Sequence, residues 1–433
     1  MALQTSEQNS RVCTGCALRL PWRESSYERR LITWQQKLFM DVDKTSYSLP
    51  AESNRTSIGA LSILKGKKVN RFTSTNQSRD DLDNKSTGAL AVWDERAYND
   101  SLASWDEKAK PKGALGRLEE LTSKLAAVWG SAEVQEVRPG VVVFAADHGV
   151  AEEGVSAYPK EVTALMLKAF TDGGACISVF CRHVGARLWL SDVGVDADTA
   201  KVPGVAQDKV RRGSANFLES PALTRDEAQK ALEIGERYAE LLAKEGVNLG
   251  IGGEMGIGNT TPSAAIVSFL LDLAPERAVG LGSGLDAHGY ERKLRVVARA
   301  LKERNPDPKD PVSVLSELGG LEIAALAGFY AGLKKRRIPI VLDGAISLAS
   351  FLVARLIEPE LDRCVLFGHA GREAASKAVL ERLGQTPILS LDMALGEGTG
   401  AILAASLLMH AWRAFREMAT LKDVLQGKKL PKN

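Results

Sequence analysis

The sequence lacks the features that mark several large classes of protein. Its 433 residues carry a formal net charge of +2, so no excess of charge points to nucleic acid or to a membrane surface. No apolar run comes close to the roughly 20 residues that span a bilayer, and the nearest, residues 338–356, is interrupted by Asp343 and Ser347. No internal repeat is present. The composition, 45% hydrophobic and 25% charged, predicts a globular protein with neither nucleic-acid nor membrane partners.

Cysteine is scarce and scattered. The chain has five cysteines, an odd number, and only Cys13 and Cys16 lie close together. This is not the pattern of a disulfide framework, so we expect a reducing compartment such as the cytoplasm. A metal or redox role for the Cys13–Cys16 pair is the weaker interpretation, because zinc takes four ligands and no second pair lies nearby.

Residues 1–90 differ from the rest of the chain. They are rich in Ser, Asn, Thr, Arg and Lys, and residues 54–86 read as a polar linker with few apolar anchors. We interpret the segment as a disordered or dispensable extension, and we expect activity to survive its removal. An organellar transit segment is the alternative, although acids such as Glu7, Glu24 and Asp41 are unusual in one. A mis-assigned start codon would give the same pattern.

From Trp93 onward, short apolar strands alternate with longer amphipathic helices. The predicted strands are residues 141–146, 188–193, 248–252, 338–342 and 364–367. The predicted helices are residues 116–129, 162–170, 175–184, 224–245, 261–271, 290–304, 320–334, 345–356, 373–383 and 396–415. Thr224 and Glu227 have the spacing of a capping box at the start of one of them. This alternation predicts an α/β domain with a parallel sheet, whose ligands bind at the carboxyl ends of the strands.

The loop after the first predicted strand is the first candidate site. It contains Asp147 and His148 and runs through Ser156 and Tyr158 to Pro159. Small and polar residues beside one aromatic ring could line a pocket for a flat base. The local pattern favours equally a turn that Asp147 and His148 simply cap.

The second candidate is the glycine-rich segment 252–261, GGEMGIGNTT. Glycines let the backbone approach a ligand closely, and the following helix offers free N–H groups and a positive dipole end to an anion. Asn259, Thr260 and Thr261 add donors, so the segment is a credible phosphate cradle. It matches neither the P-loop nor the dinucleotide-binding motif, and a structural turn is the alternative.

Two further loops supply charged groups. Lys293 follows the segment GLGSGLD at residues 280–286 and could complete a phosphate site, although an isolated helix lysine is more often solvated. Glu397 stands between glycines where the last predicted helix opens, and in a cleft it could act as a general base. Alternatively, Glu397 is a favourable acid at a helix N-terminus, whose dipole would lower its pKa.

Taken together, these loops resemble one family. The ordered segments DHGVAEEGVSAYP, GEMGIGNTTPSAAI, GLGSGLD, VLDGAISLAS and LGEGTGAILA are similar to those of nicotinate-nucleotide–dimethylbenzimidazole phosphoribosyltransferases, which act in the synthesis of the cobalamin lower ligand. The resemblance runs from about Trp105 to Arg416 and includes KPKGALGRLEEL. GEMGIGNTT and LGEGTG are its most specific parts.

The resemblance implies an architecture. It is a Rossmann-like parallel sheet flanked by helices, with a smaller helical domain built from both ends of a core at residues 91–425. We expect the large domain at about 135–400, the small domain from 91–134 and 401–425, and a tail at 426–433. The family also implies a homodimer that needs no metal and no other cofactor.

The resemblance further implies roles for individual residues. Glu397 falls at the catalytic glutamate and Glu254 at a second functional acid. The phosphate and ribose of the nucleotide would contact Gly256, Gly258, Asn259, Thr260 and Lys293. The base pocket would be lined by Ser156, Tyr158 and Met393. Gly371 departs from the pattern, since the family often has a serine there that contacts the nucleotide.

The implied reaction transfers the phosphoribosyl group of nicotinate mononucleotide to a benzimidazole-type base. The pyridinium nitrogen leaves as neutral nicotinate, and Glu397 accepts the N–H proton of the incoming base. Glu254 could stabilise positive charge at the ribose or bind a ribose hydroxyl. The acceptor stays open among dimethylbenzimidazole, other benzimidazoles, adenine and phenols. The rival functions are a non-catalytic nucleotide- or base-binding homologue, which Gly371 keeps open, and a dinucleotide-dependent oxidoreductase, which rests on glycine-rich loops alone.

Overall fold

A computed structural model describes residues 92–428 of the chain. Six strands form one sheet in the order β3-β2-β1-β4-β5-β6, and every pairing is parallel. The strands are β1 (Pro139–Ala146), β2 (Arg187–Gly194), β3 (Val205–Gln207), β4 (Leu249–Met255), β5 (Ile340–Leu342) and β6 (Val365–Phe367). The strand order reverses between β1 and β4, as in the doubly wound dinucleotide-binding fold. The predicted Rossmann-like α/β architecture is therefore confirmed.

Thirteen α-helices lie within residues 92–428. They are α1 (Glu95–Glu107), α2 (Arg117–Trp129), α3 (Val162–Thr171), α4 (Cys176–Val184), α5 (Arg225–Lys244), α6 (Thr260–Leu271), α7 (Ala287–Glu303), α8 (Pro311–Leu318), α9 (Leu321–Lys335), α10 (Ala345–Ile357), α11 (Ala374–Leu383), α12 (Thr399–Glu417) and α13 (Leu421–Leu425). The capping box predicted at Thr224 and Glu227 is present at the start of α5.

The sheet separates two apolar layers, and β1 shows why. Its side chains alternate, so that Val142 and Phe144 pack in one core while Val141 and Val143 pack in the other. A strand buried on both faces needs an unbroken apolar run, which is what the sequence has at this point. The first layer contains α5 to α11, and the second contains α1 to α4 together with α12.

The two ends of the described chain meet on the second layer. Trp105 of α1 stacks on Phe415 of α12 with ring centroids 5.2 Å apart, and its indole N–H donates to the Thr122 hydroxyl of α2 at 2.8 Å. The same helix α12 also contacts β4 and β5 at the centre of the sheet. The division into a large and a small domain stays a prediction.

Several elements differ from those predicted. The helices α1, α8 and α13 and the strand β3 were not predicted, and β4 continues to Met255 instead of ending at residue 252. Glu254 therefore lies inside a strand and not in a loop. The last helix begins at Thr399 and not at residue 396, so Glu397 precedes it. The Cys13–Cys16 pair and the extension at residues 1–90 lie outside the described residues.

The expectation about apolar runs needs a correction. The segment Val162–Val184 is 23 residues long and contains a window with a mean hydropathy of 1.4, so by length and composition it could cross a membrane. In the structure it forms two helices, α3 and α4, which are separated by a turn around Gly173. Only 33% of its apolar window is buried, so much of its apolar surface faces outward.

Candidate functional site

A cleft opens at the carboxyl edge of the sheet. Its walls come from the loops that follow β1, β4, β5 and β6 and from the segment that leads into α12. The strand order reverses at this edge, and loops that diverge from a reversal leave a crevice between them. Seven of the predicted site residues line the cleft: Ser156, Glu254, Gly256, Gly258, Asn259, Thr260 and Met393.

The loop between β4 and α6 has the features of an anion cradle. Its backbone is anchored where the Ile257 N–H donates to the Thr163 hydroxyl at 3.1 Å. Asn259 occupies the N-cap position of α6, but its side chain donates to the Glu254 carboxylate instead of capping the helix. At the start of α6, Thr261 donates its N–H to the Gly258 carbonyl and Pro262 has no N–H, so the helix offers the Thr260 N–H to the cleft.

Lys293 lies behind this loop and is fully buried. Its ammonium donates to the Thr260 hydroxyl at 2.7 Å and to the Gly280 carbonyl at 3.3 Å. Burial lowers the pKa of Lys293 to about 8, while the Glu373 carboxylate opposes that shift. The alternative of a solvated helix lysine is wrong. Lys293 is not itself in the wall of the cleft, and it reaches the cleft through Thr260.

Glu397 is 3% exposed and stands in a tight turn beside the cleft. Its φ of 65° is unusual for a residue with a side chain, and Gly396 and Gly398 on either side also have positive φ. A Cβ on Gly253 of β4 would overlap the Glu397 carbonyl oxygen, so the backbones of β4 and of the turn are in direct contact. Its neighbours Gly396 and Thr399 line the cleft.

Burial and not the helix dipole governs the acidity of Glu397. Desolvation raises the pKa of Glu397 to about 7, the Asp343 carboxylate adds to the rise, and a backbone N–H from Ile177 opposes it. That N–H lies 3.4 Å from Oε2 of Glu397, at the start of α4. The expectation that a helix N-terminus would lower this pKa is wrong, because the cost of removing the charged carboxylate from water is the larger effect.

Asp343 is a site residue that sequence reasoning missed. It follows β5, lines the cleft and is buried, and its Oδ1 accepts the Ala401 N–H at 2.9 Å. Burial raises the pKa of Asp343 to about 6, against hydrogen bonds from the backbone of Ala401, Gly400 and Gly398. Gly398 is the N-cap residue of α12 and has no side chain to cap the helix, so the Asp343 carboxylate caps it instead. It thereby holds the turn that contains Glu397.

Glu254 is a third buried acid of the cleft. It pairs in register with Phe144 of β1, and a Cβ on Gly396 would overlap its Oε1. Burial raises the pKa of Glu254 to about 8, and the carboxylates of Glu322, Asp343 and Glu397 add to the rise, while the hydrogen bond from Asn259 opposes it. Glu322, which lies in the first turn of α9, was also missed because it sits in an otherwise apolar helix.

The predicted base pocket is only partly assembled. Ser156 and Met393 line the cleft, whereas Tyr158 does not, although its N–H donates to the Ser156 hydroxyl at 3.2 Å. Asp147 and His148 do not line the cleft and are buried. Asp147 accepts the Asp196 N–H at 2.7 Å, and His148 contacts Glu322, so neither residue is a simple turn cap.

Gly371 lines the cleft and supplies no hydroxyl. A Cβ at this position would lie 3.1 Å from the hydroxyl oxygen of Ser376, in the first turn of α11. Ser376 also lines the cleft, it is buried, and its Oγ has no hydrogen-bond partner among residues 92–428. A serine hydroxyl therefore lies next to the place where Gly371 lacks one.

Comparison with known proteins gives a consistent result. A phosphoribosyltransferase family model matches residues 90–424. The chain is 44% identical over 321 residues to the nicotinate-nucleotide–dimethylbenzimidazole phosphoribosyltransferase of Geobacter sulfurreducens, an alignment that covers 74% of this chain and 91% of that one. It is 43% identical over 330 residues to the enzyme of the same name from Chloroflexus aggregans, covering 76% and 94%. The crystal structure of CobT from Thermus thermophilus superposes with a TM-score of 0.73 at 43% identity, covering 76% and 98%.

Proposed function

The chain belongs to the family of nicotinate-nucleotide–dimethylbenzimidazole phosphoribosyltransferases, and from this premise we propose how its cleft carries out the transfer. The enzyme is a pentosyltransferase. It transfers the phosphoribosyl group of nicotinate mononucleotide to 5,6-dimethylbenzimidazole or a related base, giving alpha-ribazole 5′-phosphate and nicotinate in the nucleotide-loop assembly of cobalamin. The observation that carries this proposal is a buried carboxylate, Glu397, and a buried ammonium, Lys293, beside one cleft at the strand reversal.

We assign the phosphate of nicotinate mononucleotide to the loop from Gly256 to Thr260. The Thr260 N–H at the start of α6 and the positive dipole end of that helix suit a phosphate. Lys293 supports this assignment, since its ammonium donates to the Thr260 hydroxyl and thereby places a positive charge directly behind the loop. A bound phosphate would in turn stabilise the charged form of Lys293, whose pKa burial has lowered.

We assign the proton transfer to Glu397. The pyridinium nitrogen of the nucleotide is already cationic, so nicotinate leaves as a neutral ring without help from an acid. The attacking base nitrogen becomes positive unless its second nitrogen loses a proton, and Glu397 would accept that proton. A pKa raised to about 7 suits this role, because a general base works best when its pKa is near the operating pH.

We further propose that the enzyme is a homodimer in which a second copy covers α3 and α4. Leu165 of α3 is 40% exposed and Val179 of α4 is 43% exposed, within a segment whose apolar window is only 33% buried. Exposed apolar surface of this kind is typical of a subunit interface. The N–H of Ile177 in α4 contacts Glu397, so a partner on this surface would close the base side of the cleft.

The acceptor base and the cellular location stay predictions. The walls near Ser156 and Met393 would select the base, and a benzimidazole nitrogen or a phenol could equally give its proton to Glu397. The cytoplasmic location inferred from the scarce cysteines is likewise untested.

A direct assay tests the proposal. The full chain is incubated with nicotinate mononucleotide and, in parallel, with dimethylbenzimidazole, benzimidazole, adenine or a phenol, and released nicotinate and the ribosylated product are quantified. We expect nicotinate release only when an acceptor is present, with dimethylbenzimidazole or a close relative preferred in competition. A folded protein that binds the nucleotide and releases no nicotinate with any acceptor would support the non-catalytic alternative instead.

A further inference from the structure

His148 and Glu322 form a buried pair that the transfer reaction does not use directly. His148 follows β1, Glu322 lies in the first turn of α9, and the Nε2 and Oε1 atoms are 2.7 Å apart. Both side chains are fully buried. A Cβ on Gly320 would overlap the imidazole, so the chain has a glycine where the ring needs space. Burying such a pair is costly, and a hydrophobic pair would often serve the fold as well.

The pair lies directly behind the nucleotide loop. A Cβ on Gly256 would lie 3.2 Å from Nε2 of His148 and 3.4 Å from Nδ2 of Asn259. Asn259 donates to the Glu254 carboxylate, so His148 and Glu254 are separated only by the backbone of Gly256 and one amide side chain. Glu322 thus places a buried negative charge close to Glu254 without a direct hydrogen bond to it.

The charged groups around Glu254 are nearly all acids. The carboxylates of Glu322 in α9, Asp343 after β5 and Glu397 before α12 each raise the pKa of Glu254. The neutral Asn259 amide is its hydrogen-bond donor. Within residues 92–428, the buried cation behind the loop, Lys293, bonds to Thr260 and Gly280 and forms no ion pair with these acids.

We propose that the His148–Glu322 pair keeps Glu254 protonated, so that Glu254 meets the nucleotide as a neutral hydrogen-bond donor and not as a counter-ion. The identity of the nucleotide rests on the proposed function. Oε2 of Glu254 accepts from Asn259, which leaves Oε1 to carry the proton toward a ribose hydroxyl. His148 and Glu322 are positioning residues, since they act through Glu254. Burial, with Glu322 as the largest charge contribution, raises the pKa of Glu254 to about 8 and supports this state at neutral pH.

The proposal chooses between the two roles that the sequence left open for Glu254. An ionised carboxylate could stabilise positive charge at the ribosyl carbon, whereas a neutral acid can only donate to or accept from an oxygen. With Glu254 neutral, Glu397 alone takes up the proton that the incoming base releases. The two glutamates then differ in task because their surroundings differ.

The first experiment reads the protonation state without any turnover. Infrared difference spectra of the wild type minus Glu254→Gln, taken at neutral pH, should show the C=O band of a protonated carboxyl. In the Glu322→Gln background the same difference should show a weaker C=O band and a larger share of ionised carboxylate, because removing the Glu322 charge makes Glu254 easier to ionise. An ionised Glu254 in the wild type would overturn the proposal even if the transfer reaction itself is confirmed.

The second experiment measures transfer with both substrates saturating, across pH. Glu254→Gln keeps a neutral donor, so we expect it to retain kcat within about tenfold. Glu322→Gln should lower the pH at which kcat falls on the alkaline side by about one unit. In the Glu254→Gln background, Glu322→Gln should leave the pH profile of kcat unchanged. His148→Gln, which removes the imidazole that contacts Glu322, should move the same alkaline limb and should likewise move nothing in the Glu254→Gln background. The proposal would be refuted by a folded Glu254→Gln protein that shows no transfer. It would also be refuted if Glu322→Gln left the alkaline fall of kcat at the same pH. An inactive wild type would refute the proposed function alone.

Discussion

The two sides of the cleft are built differently. On the nucleotide side, the loop from Gly256 to Thr260 and the ammonium behind it form one enclosed unit, with Lys293 fully buried. On the side that we propose binds the base, Glu397 lies near the start of α4, and Leu395 in the wall of the cleft is 53% exposed. One chain thus encloses the side that we propose binds the nucleotide, whereas the side that we propose binds the base is left partly open.

This difference indicates where each kind of binding energy comes from. A phosphate can be held by backbone N–H groups and one fixed cation, which a single loop and helix supply. A flat base needs apolar walls on both faces, and these come from separate segments or from another subunit. The two sides should therefore respond differently to substitution.

The largest effect is expected on the base side, at Glu397. Glu397→Gln keeps the shape of the side chain and removes its ability to take a proton, so kcat should fall by about 10²- to 10⁴-fold. Transfer is measured with both substrates saturating, and nucleotide binding is followed separately by calorimetry. Nucleotide affinity should change little. Unchanged kcat would exclude Glu397 as the base.

The same residue gives a pH prediction. A base works in its ionised form, and burial raises the pKa of Glu397 to about 7. In the wild type, kcat should therefore rise as the pH increases through about 7, before the alkaline fall that ionisation of Glu254 produces. The Glu397→Gln protein should lose this rise while keeping its fold by circular dichroism.

On the nucleotide side, the next largest effect is expected at Lys293. Lys293→Met keeps most of the buried volume and removes the cation, so the KM for nicotinate mononucleotide should rise by about 10- to 100-fold, as for a lost charge-assisted hydrogen bond. The KM for the base should stay nearly constant. Arg295→Met on the same helix is the matched control, because that side chain is exposed. If the base KM rises instead, the phosphate assignment is wrong.

Much of the nucleotide side could be predicted from sequence, because its parts are contiguous. GGEMGIGNTT at residues 252–261 contains the end of β4, the loop and the start of α6 in one stretch. The base side could not be predicted as fully, since Glu397 depends on Asp343 and on Ile177, which are distant in sequence. A lone aspartate after a short strand carries no sign that it caps a helix elsewhere.

The remaining differences from prediction have local causes. β3 has only three residues, too few for a period-two pattern to be seen. α8 begins at Pro311, and a proline-rich stretch favours a loop, but Asp310 caps the helix and proline suits its first position. The pKa of Glu397 was predicted with the wrong sign because a sequence shows the helix end but not how deeply the carboxylate is buried.

A smaller effect is expected where a partner subunit would close the open side. Leu165→Glu or Val179→Glu places a charge on the exposed face of α3 and α4, so the dimer should dissociate, as measured by light scattering. The KM for the base should rise by about tenfold, with the KM for the nucleotide nearly unchanged. Leu425→Glu is the control, because Leu425 is 79% exposed on α13, outside these two helices. A monomeric variant with an unchanged base KM would mean that one chain completes the base side after all.

The smallest effect is expected at Ser376, beside Gly371, where the resemblance implies a serine in many relatives. The buried Ser376 hydroxyl has no partner among residues 92–428 and lies beside Gly371, so the bound nucleotide is the partner that would satisfy it. Ser376→Ala should raise the KM for the nucleotide by only about two- to tenfold, the worth of one neutral hydrogen bond. Because an unsatisfied buried hydroxyl is costly, the same substitution should leave the Tm of the free enzyme equal or higher.

A second buried serine makes this prediction specific. The hydroxyl of Ser268 in α6 is also buried and unpartnered within the described part of the chain, but Ser268 does not line the cleft. Ser268→Ala should therefore match Ser376→Ala in its effect on Tm and leave the nucleotide KM unchanged. If both variants raise that KM equally, the effect comes from packing, and the hydroxyl that Gly371 lacks is not replaced by Ser376. If only Ser376→Ala raises it, the nucleotide side is complete within one chain despite the missing serine.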